Sequence, residues 1–238
     1  MKDKDINKMT IGEIVAQDYR AASVFKEAGI DFCCGGKKSI DEACSEKGIA
    51  PAELTEKLKK LEFTPDTTNR NYIDWEPDFL CDYIVNTHHK YVLKSLPELI
   101  QYTHKIASVH GDRHPELLEV ESLFSDINRE LLQHMKNEEE VLFPSLKRVL
   151  NSGSVEFKTI MISEIARLSN EHEFAGGTMD KIKIITHNYH VPADSCNTYK
   201  VTLKLLEQFE DDLHTHVHLE NNILFPKALN FANQNQKS

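Results

Sequence analysis

No stretch of the chain approaches the roughly 20 consecutive apolar residues that span a bilayer, and the N-terminus lacks an apolar run of the signal-peptide kind. A cytoplasmic protein with no membrane partner is expected. Basic residues are in deficit, with 28 Lys and Arg against 38 Asp and Glu, and the net charge of −10 argues against a nucleic-acid partner. Cysteine is scarce and odd in number: Cys33, Cys34, Cys44, Cys81 and Cys196. Their spacing is not that of a stapled secreted domain, so reduced thiols are expected. Sustained strand alternation is missing throughout. What remains is an all-α chain of 238 residues, 40% apolar and 28% charged, with room for one large or two small domains.

Helix signals divide it. Thr10-Ile-Gly-Glu13 is a capping box, and apolar residues at helical spacing continue to Gly29, predicting a helix over about 11–28. The Gly-rich loop Ile30-Asp31-Phe32-Cys33-Cys34-Gly35-Gly36-Lys37-Lys38 comes next, then a helix over about 40–47 capped by Ser39, and one over about 51–62 opened by Pro51. Residues 1–62 thus read as a small three-helix domain. Residues 63–76 lack periodicity and read as a linker, with Trp75 packing at the mouth of the next domain. Over 77–238 four long helical patterns, about 77–108, 115–149, 155–187 and 197–230, predict an antiparallel up-down four-helix bundle.

Within that bundle His134-Met-Lys-Asn-Glu138-Glu-Glu-Val-Leu142-Phe143-Pro144 recurs 82 residues later as His216-Val-His-Leu-Glu220-Asn-Asn-Ile-Leu224-Phe225-Pro226. Positions i and i+4 share a helix face, so each copy aims an imidazole and a carboxylate at one point. The apolar stripes add two more donors. His89 interrupts the row Val85, Val92, Leu96, Leu99, and His172 the row Ile165, Leu168, Ala175, Met179. A lone histidine in such a row reads as a satisfied core residue; six donors in two matched sets, His89, His134, Glu138 and His172, His216, Glu220, read as a duplicated hairpin building one binuclear site. Four imidazoles and two carboxylates suit iron or manganese more than calcium. Of the rest, His88 is expected in an outer shell or at the rim. Glu139 and Glu140 belong to a solvated face, and His104, His110, His114, His187, His190, His214 and His218 to the surface or loops. Glu130, one turn before His134, and Glu171, beside His172, either orient an imidazole N–H or line an access path, or are plain surface charges.

The adjacent thiols Cys33 and Cys34 cannot form a zinc knuckle alone. The glycines after them permit positive φ, and Lys37, Lys38 and the next helix N-terminus would favour thiolates. That suggests a redox-active or metal-handing pair, against the alternative of a buried loop with incidental thiols. Cys44 is packing or a third thiol.

A short helical domain carrying Asp31-Phe-Cys-Cys-Gly-Gly36, ahead of a bundle ending in His216-x3-Glu220-Asn-Asn-x-Leu-Phe-Pro226, resembles the iron-sulfur cluster repair di-iron proteins, the RIC or ScdA family, over nearly the whole chain. The resemblance implies a hemerythrin-like bundle with two non-haem iron ions, oxo-bridged or not, in a protein made under nitrosative and oxidative stress. It implies too that damaged iron-sulfur proteins are the partners, restored by delivery of iron. Position by position it places the metal ligands at His89, just before Leu96-Pro-Glu-Leu99, at His134 and Glu138, at His172 after Glu171, and at His216 and Glu220. The family's paired cysteines fall on Cys33 and Cys34, and an acidic residue on Glu130. The fifth histidine of ordinary hemerythrin has no match, which argues against reversible oxygen carriage.

Iron donation is therefore the leading expectation, ahead of turnover. A di-iron nitric oxide or nitrogen oxide reductase, with Glu130 or Glu171 delivering protons, is the enzymatic alternative. An oxygen or nitric oxide sensor, or an iron store, is the binding alternative, and a homodimer is left open.

Overall fold

The computed structural model describes residues 6–62 and 72–234, and among them all regular structure is helical; the one extended pairing is an isolated bridge between Thr10 and Ser39. Two compact units result, Met1–Cys81 with Thr215–Ser238, and Asp82–His214.

The first unit begins with the predicted capping box, Thr10 Oγ1 accepting from the Glu13 amide and Glu13 from the Thr10 amide. The expected single helix over 11–28 is instead two, α1 (Ile11–Gln17) and α2 (Ala21–Glu27). Asp18 breaks it: its backbone is extended, and its carboxylate takes the Arg20 amide and guanidinium, an Asx-type turn that outcompetes the helix. Next come α3 (Ile40–Lys47), capped by Ser39 and closed by left-handed Gly48, and α4 (Pro51–Glu62). Ile11, Ile14, Phe25, Leu54 and Leu58 are buried between these helices, each apolar side chain contributing about 1.5–3 kcal/mol. Of the linker, 63–71 lies outside the described residues. Tyr72–Asp74 forms a short turn, and Trp75 packs edge-on against Tyr72 and Phe79. Helix α5 (Pro77–Ile84) starts in this unit. Its last segment holds the end of a helix that begins at Asn197, a π-turn over Glu220–Leu224, and α11 (Phe225–Gln234).

The second unit is a helical bundle of α6 (Lys90–His110), α7 (Glu116–Asn137), α8 (Phe143–Ser152), α9 (Val155–Ile185) and α10 (Asn197–Leu219) as far as His214. The predicted stripes are its interior: Leu96, Leu99, Val120, Phe124, Leu168 and Met179 are buried, and Phe124 meets Phe209 edge-on at 5.4 Å. Helices α6 and α7 pack together, as do α7 and α9.

Regular α-helix fails at three places among the described residues, and each carries a predicted donor. Val85–His89, Glu138–Leu142 and Glu220–Leu224 are π-turns. At the two repeats the Phe143 amide reaches back to the Glu138 carbonyl and the Phe225 amide to that of Glu220, five residues rather than four. Pro144 and Pro226 explain the position: they lack the N–H an α-turn needs, and a wider turn relieves the ring's clash with the preceding carbonyl.

Candidate metal centre

The second unit brings four predicted donors together. Glu138 is fully buried, and one of its oxygens, Oε2, lies 3.3 Å from His89 Nε2 and 3.3 Å from His134 Nε2. His134 Nε2 and His172 Nε2 are 3.1 Å apart. All three histidines are buried. At that distance the two rings can share a hydrogen bond, and the same two nitrogens are close enough to face one cation instead.

The opposite ring edges fix which nitrogen is free to coordinate. His134 Nδ1 is 2.8 Å from Glu171 Oε2, and His89 Nδ1 is 2.7 Å from Glu139 Oε1. A carboxylate can only accept, so each Nδ1 carries a proton, and in the neutral ring Nε2 presents its lone pair. Arg167 in turn clamps Glu171. The His134 hydrogen bond foremost, with Arg167 behind it, holds the Glu171 carboxyl below the usual carboxylate range.

Glu139 keeps the expected solvated position, its side chain 40% exposed, but from there it grips an imidazole. An α-helical wheel turns the residue after Glu138 away from it; the π-turn starting at Glu138 changes that angle. Both orienting carboxylates are chain neighbours of a donor, the one signal that sequence offers for them. Glu130 is elsewhere, exposed and paired with Arg129 at 3.6 Å. His88 is buried rather than at the rim, with Nδ1 3.0 Å from Asp212.

The first unit carries the other predicted pair. His216 Nε2 is 3.1 Å from Glu220 Oε1, and both side chains are buried. Beyond Glu220 the same π-turn presents Asn222, whose Nδ2 donates to the carbonyls of Phe32 (3.2 Å) and Cys33 (3.0 Å) and lies 3.1 Å from His218 Nδ1. His218 is not at the surface as expected: it is sealed under the thiol loop, against Tyr19 and Phe32, and burial pushes it down to about 4.

The loop itself is wound on Asp31. Its carboxylate accepts from the amides of Cys33, Cys34 and Gly35 at 2.8–3.0 Å, and the Cys33 thiol lies 3.1 Å from it. The two sulfurs are 3.9 Å apart and both thiols are free. The expected thiolate-favouring environment is overturned for Cys33, whose thiol is pushed well up by the Cys34 hydrogen bond, by burial and by Asp31. Lys38 is engaged with Glu46 instead. Neither loop glycine has positive φ; each is small for the sake of close approach. A Cβ on Gly36 would lie 2.3 Å from Asn222 Oδ1, and one on Gly35 2.7 Å from the Asp31 carbonyl. Cys44 is buried, which raises its thiol also. Of the remaining sequence expectations, His110 is buried and not on the surface.

A helical bundle that turns buried imidazoles and a carboxylate onto shared points belongs to the hemerythrin-type cation-binding class. The family model described as the hemerythrin HHE cation binding domain matches residues 82–228, and ScdA_N, described as a domain of unknown function, matches 7–62. The chain is 34% identical to the iron-sulfur cluster repair protein ScdA of Staphylococcus epidermidis over 94% of its own length and 99% of that protein's. It is 33% identical to a probable iron-sulfur cluster repair protein of Haemophilus influenzae, and 33% to the iron-sulfur cluster repair protein YtfE of Pectobacterium carotovorum, each over 92% of this chain and 96% of the relative. The chain belongs to the family of iron-sulfur cluster repair proteins.

Proposed function

We propose that this protein repairs damaged iron-sulfur clusters by donating iron from a binuclear centre. The residues that would hold the two irons are His89, His134, Glu138, His172, His216 and Glu220. The observation that carries this reading is the Glu138 oxygen equidistant from two Nε2 atoms, and the matched His216–Glu220 pair of the repeat supports it. The donor set fits the group: imidazole nitrogens and carboxylate oxygens, buried, with the rings of His89 and His134 oriented through Nδ1.

Iron so bound would supply a redox-active, exchangeable metal. Glu139 and Glu171 keep Nε2 of His89 and His134 unprotonated and aimed. Arg167 holds Glu171 against rotation, and the apolar bundle around them keeps water from competing. Nitrogen and oxygen ligands release iron more readily than thiolates would, which suits a donor. The thiol loop, with Asp31, Cys33 and Cys34 donor atoms within 4.8 Å of one another, is a station through which iron could pass on its way to a client. Nitric oxide and oxygen are the small ligands this centre would meet, in the cytoplasm; whether two copies associate is set by surfaces outside the centre.

The test is anaerobic transfer from purified protein to a cluster-damaged iron-sulfur enzyme, measured beside Cys33→Ser/Cys34→Ser. About two irons per chain, as the donor count suggests, and stoichiometric recovery of the client are expected. Full repair by the double variant would remove the thiols from the path, and a folded protein that binds no metal would end the proposal. Catalytic consumption of nitric oxide without iron loss would favour the reductase instead.

A further inference from the structure

Cys196 is the exposed cysteine of the five, and it stands apart from the six metal donors and the paired thiols. It sits one residue before α10, and its Sγ lies 3.2 Å from Nε2 of His110, the last residue of α6. His110 is 4% exposed, so a buried imidazole is aimed at a solvent-reachable sulfur. The other ring nitrogen, Nδ1, is 3.3 Å from a guanidinium nitrogen of Arg113. Guanidinium offers donors only, so Nδ1 must accept, and the neutral ring carries its proton on Nε2. Nε2–H therefore donates to the sulfur.

The remaining groups hold that arrangement still. Asp194 takes the Arg113 guanidinium at 3.0 Å and His114 at 3.1 Å, and Glu116 takes the other nitrogen of His114 at 3.0 Å. The Tyr199 ring packs against both imidazoles, 5.4 Å from His110 and 5.5 Å from His114. The groups facing the sulfur from each packed element are thus a fixed N–H donor with a cation behind it, and Asp194, His114 and Tyr199 around them. A hydrogen bond from nitrogen to sulfur strengthens as the sulfur gains charge, and the charged sulfur is the nucleophile.

We propose that Cys196, His110 and Arg113 form a thiol–disulfide exchange site that accepts a low-molecular-weight disulfide. The Cys196 thiol gives its proton to water and the sulfur attacks one sulfur of R–S–S–R; the new S–S bond forms as the old one breaks, and RS⁻ leaves and takes a proton from water. Cys196 is oxidised to the mixed disulfide and half of the incoming disulfide is reduced. A free thiol reverses the step. His110 and Arg113 are positioning residues: one holds the sulfur, the other holds the tautomer of the first.

The experiment uses the full chain as purified, with oxidised glutathione as probe at pH 7, and peptide mass spectrometry to assign each adduct. Cys196 should acquire the adduct faster than Cys34, and dithiothreitol should remove it. Arg113→Gln should slow adduct formation about three- to ten-fold and His110→Gln about ten-fold, the range expected when a thiolate loses its donor. Arg113 has a side chain 60% exposed, so its variant keeps the fold if His110→Gln does not. Equal rates for wild type and Arg113→Gln, or an adduct confined to Cys34, would overturn the proposal.

Discussion

The two His-x3-Glu copies share a backbone and differ in the residues just after the glutamate. Both have a π-turn starting at that glutamate and closing before Phe-Pro. After Glu138 come Glu139 and Glu140; after Glu220 come Asn221 and Asn222. In the first copy the spare side chain reaches a buried imidazole, Glu139 holding His89 Nδ1. In the second it turns to the thiol loop, Asn222 holding the carbonyls of Phe32 and Cys33. A carboxylate serves where an imidazole proton must be taken; a neutral amide serves where carbonyls must be capped. The two copies thus repeat the His-x3-Glu pair, and differences at two positions make one an imidazole-orienting half and the other a half that holds the thiol loop.

The largest test of that pairing is to strike one donor in each copy separately. His134→Ala and His216→Ala should each bring the metal content, read by elemental analysis, from about two per chain to well below one if both copies build one centre. Loss of one metal in each variant would instead mean two independent sites. Stripping the metal with a chelator leaves Glu138 and Glu220 buried without a cation, and should lower unfolding stability by about 3–5 kcal/mol, as for a broken buried ion pair. Next in size are the orienting carboxylates. Glu171→Ala and Glu139→Ala should each weaken metal binding about 10–100-fold in a competition titration, while Asn221→Ala should leave it unchanged. Equal losses at 139 and 221 would erase the proposed division between the copies.

Much of this is legible in the amino-acid order alone. Four long helices, the caps at Thr10 and Ser39 and the inward rows of donors emerge from periodicity, because a stripe of one character on a helix has few ways to be buried. The six donors can be named because burying a carboxylate beside a histidine needs a reason. The features that sequence does not reveal depend on irregular backbone or on distant partners. A helical wheel assumes the α-turn, so it sends Glu139 to solvent, where it does lie, but misses that the π-turn lets it reach His89. It likewise cannot see that Asp18 breaks the first helix through its own side chain. His218 and His110 escape it for another reason: one is covered by a loop 185 residues upstream and the other faces a cysteine 86 residues downstream, and no local pattern reports such a meeting. The lysines after the cysteines suggest thiolates, but charge counted along the chain does not tell that Asp31 turns its carboxylate onto the loop while Lys38 turns to Glu46.

The half that holds the thiol loop can be sharpened by smaller changes. Gly36→Ala would put a methyl 2.3 Å from Asn222 Oδ1 and 2.8 Å from the Phe32 carbonyl. The amide can swing aside but the backbone cannot, so a loss of about 1–3 kcal/mol in urea unfolding is expected. Asn222→Ala removes two hydrogen bonds to carbonyls without a clash, for about 1–2 kcal/mol, and Gly36→Ala/Asn222→Ala should cost less than the sum because the truncation clears half of the collision. The matched position in the other copy, Glu140, is exposed, so Glu140→Ala should change stability by less than about 0.5 kcal/mol. The decisive readout is alkylation of Cys33 and Cys34 by iodoacetamide. Cys33 is buried and its carbonyl is tied to Asn222, so it should label faster in Asn222→Ala and at the wild-type rate in Glu140→Ala. If both variants label alike, the amide is not what holds the thiol loop to the turn that carries Glu220, and the two copies differ in sequence without differing in task.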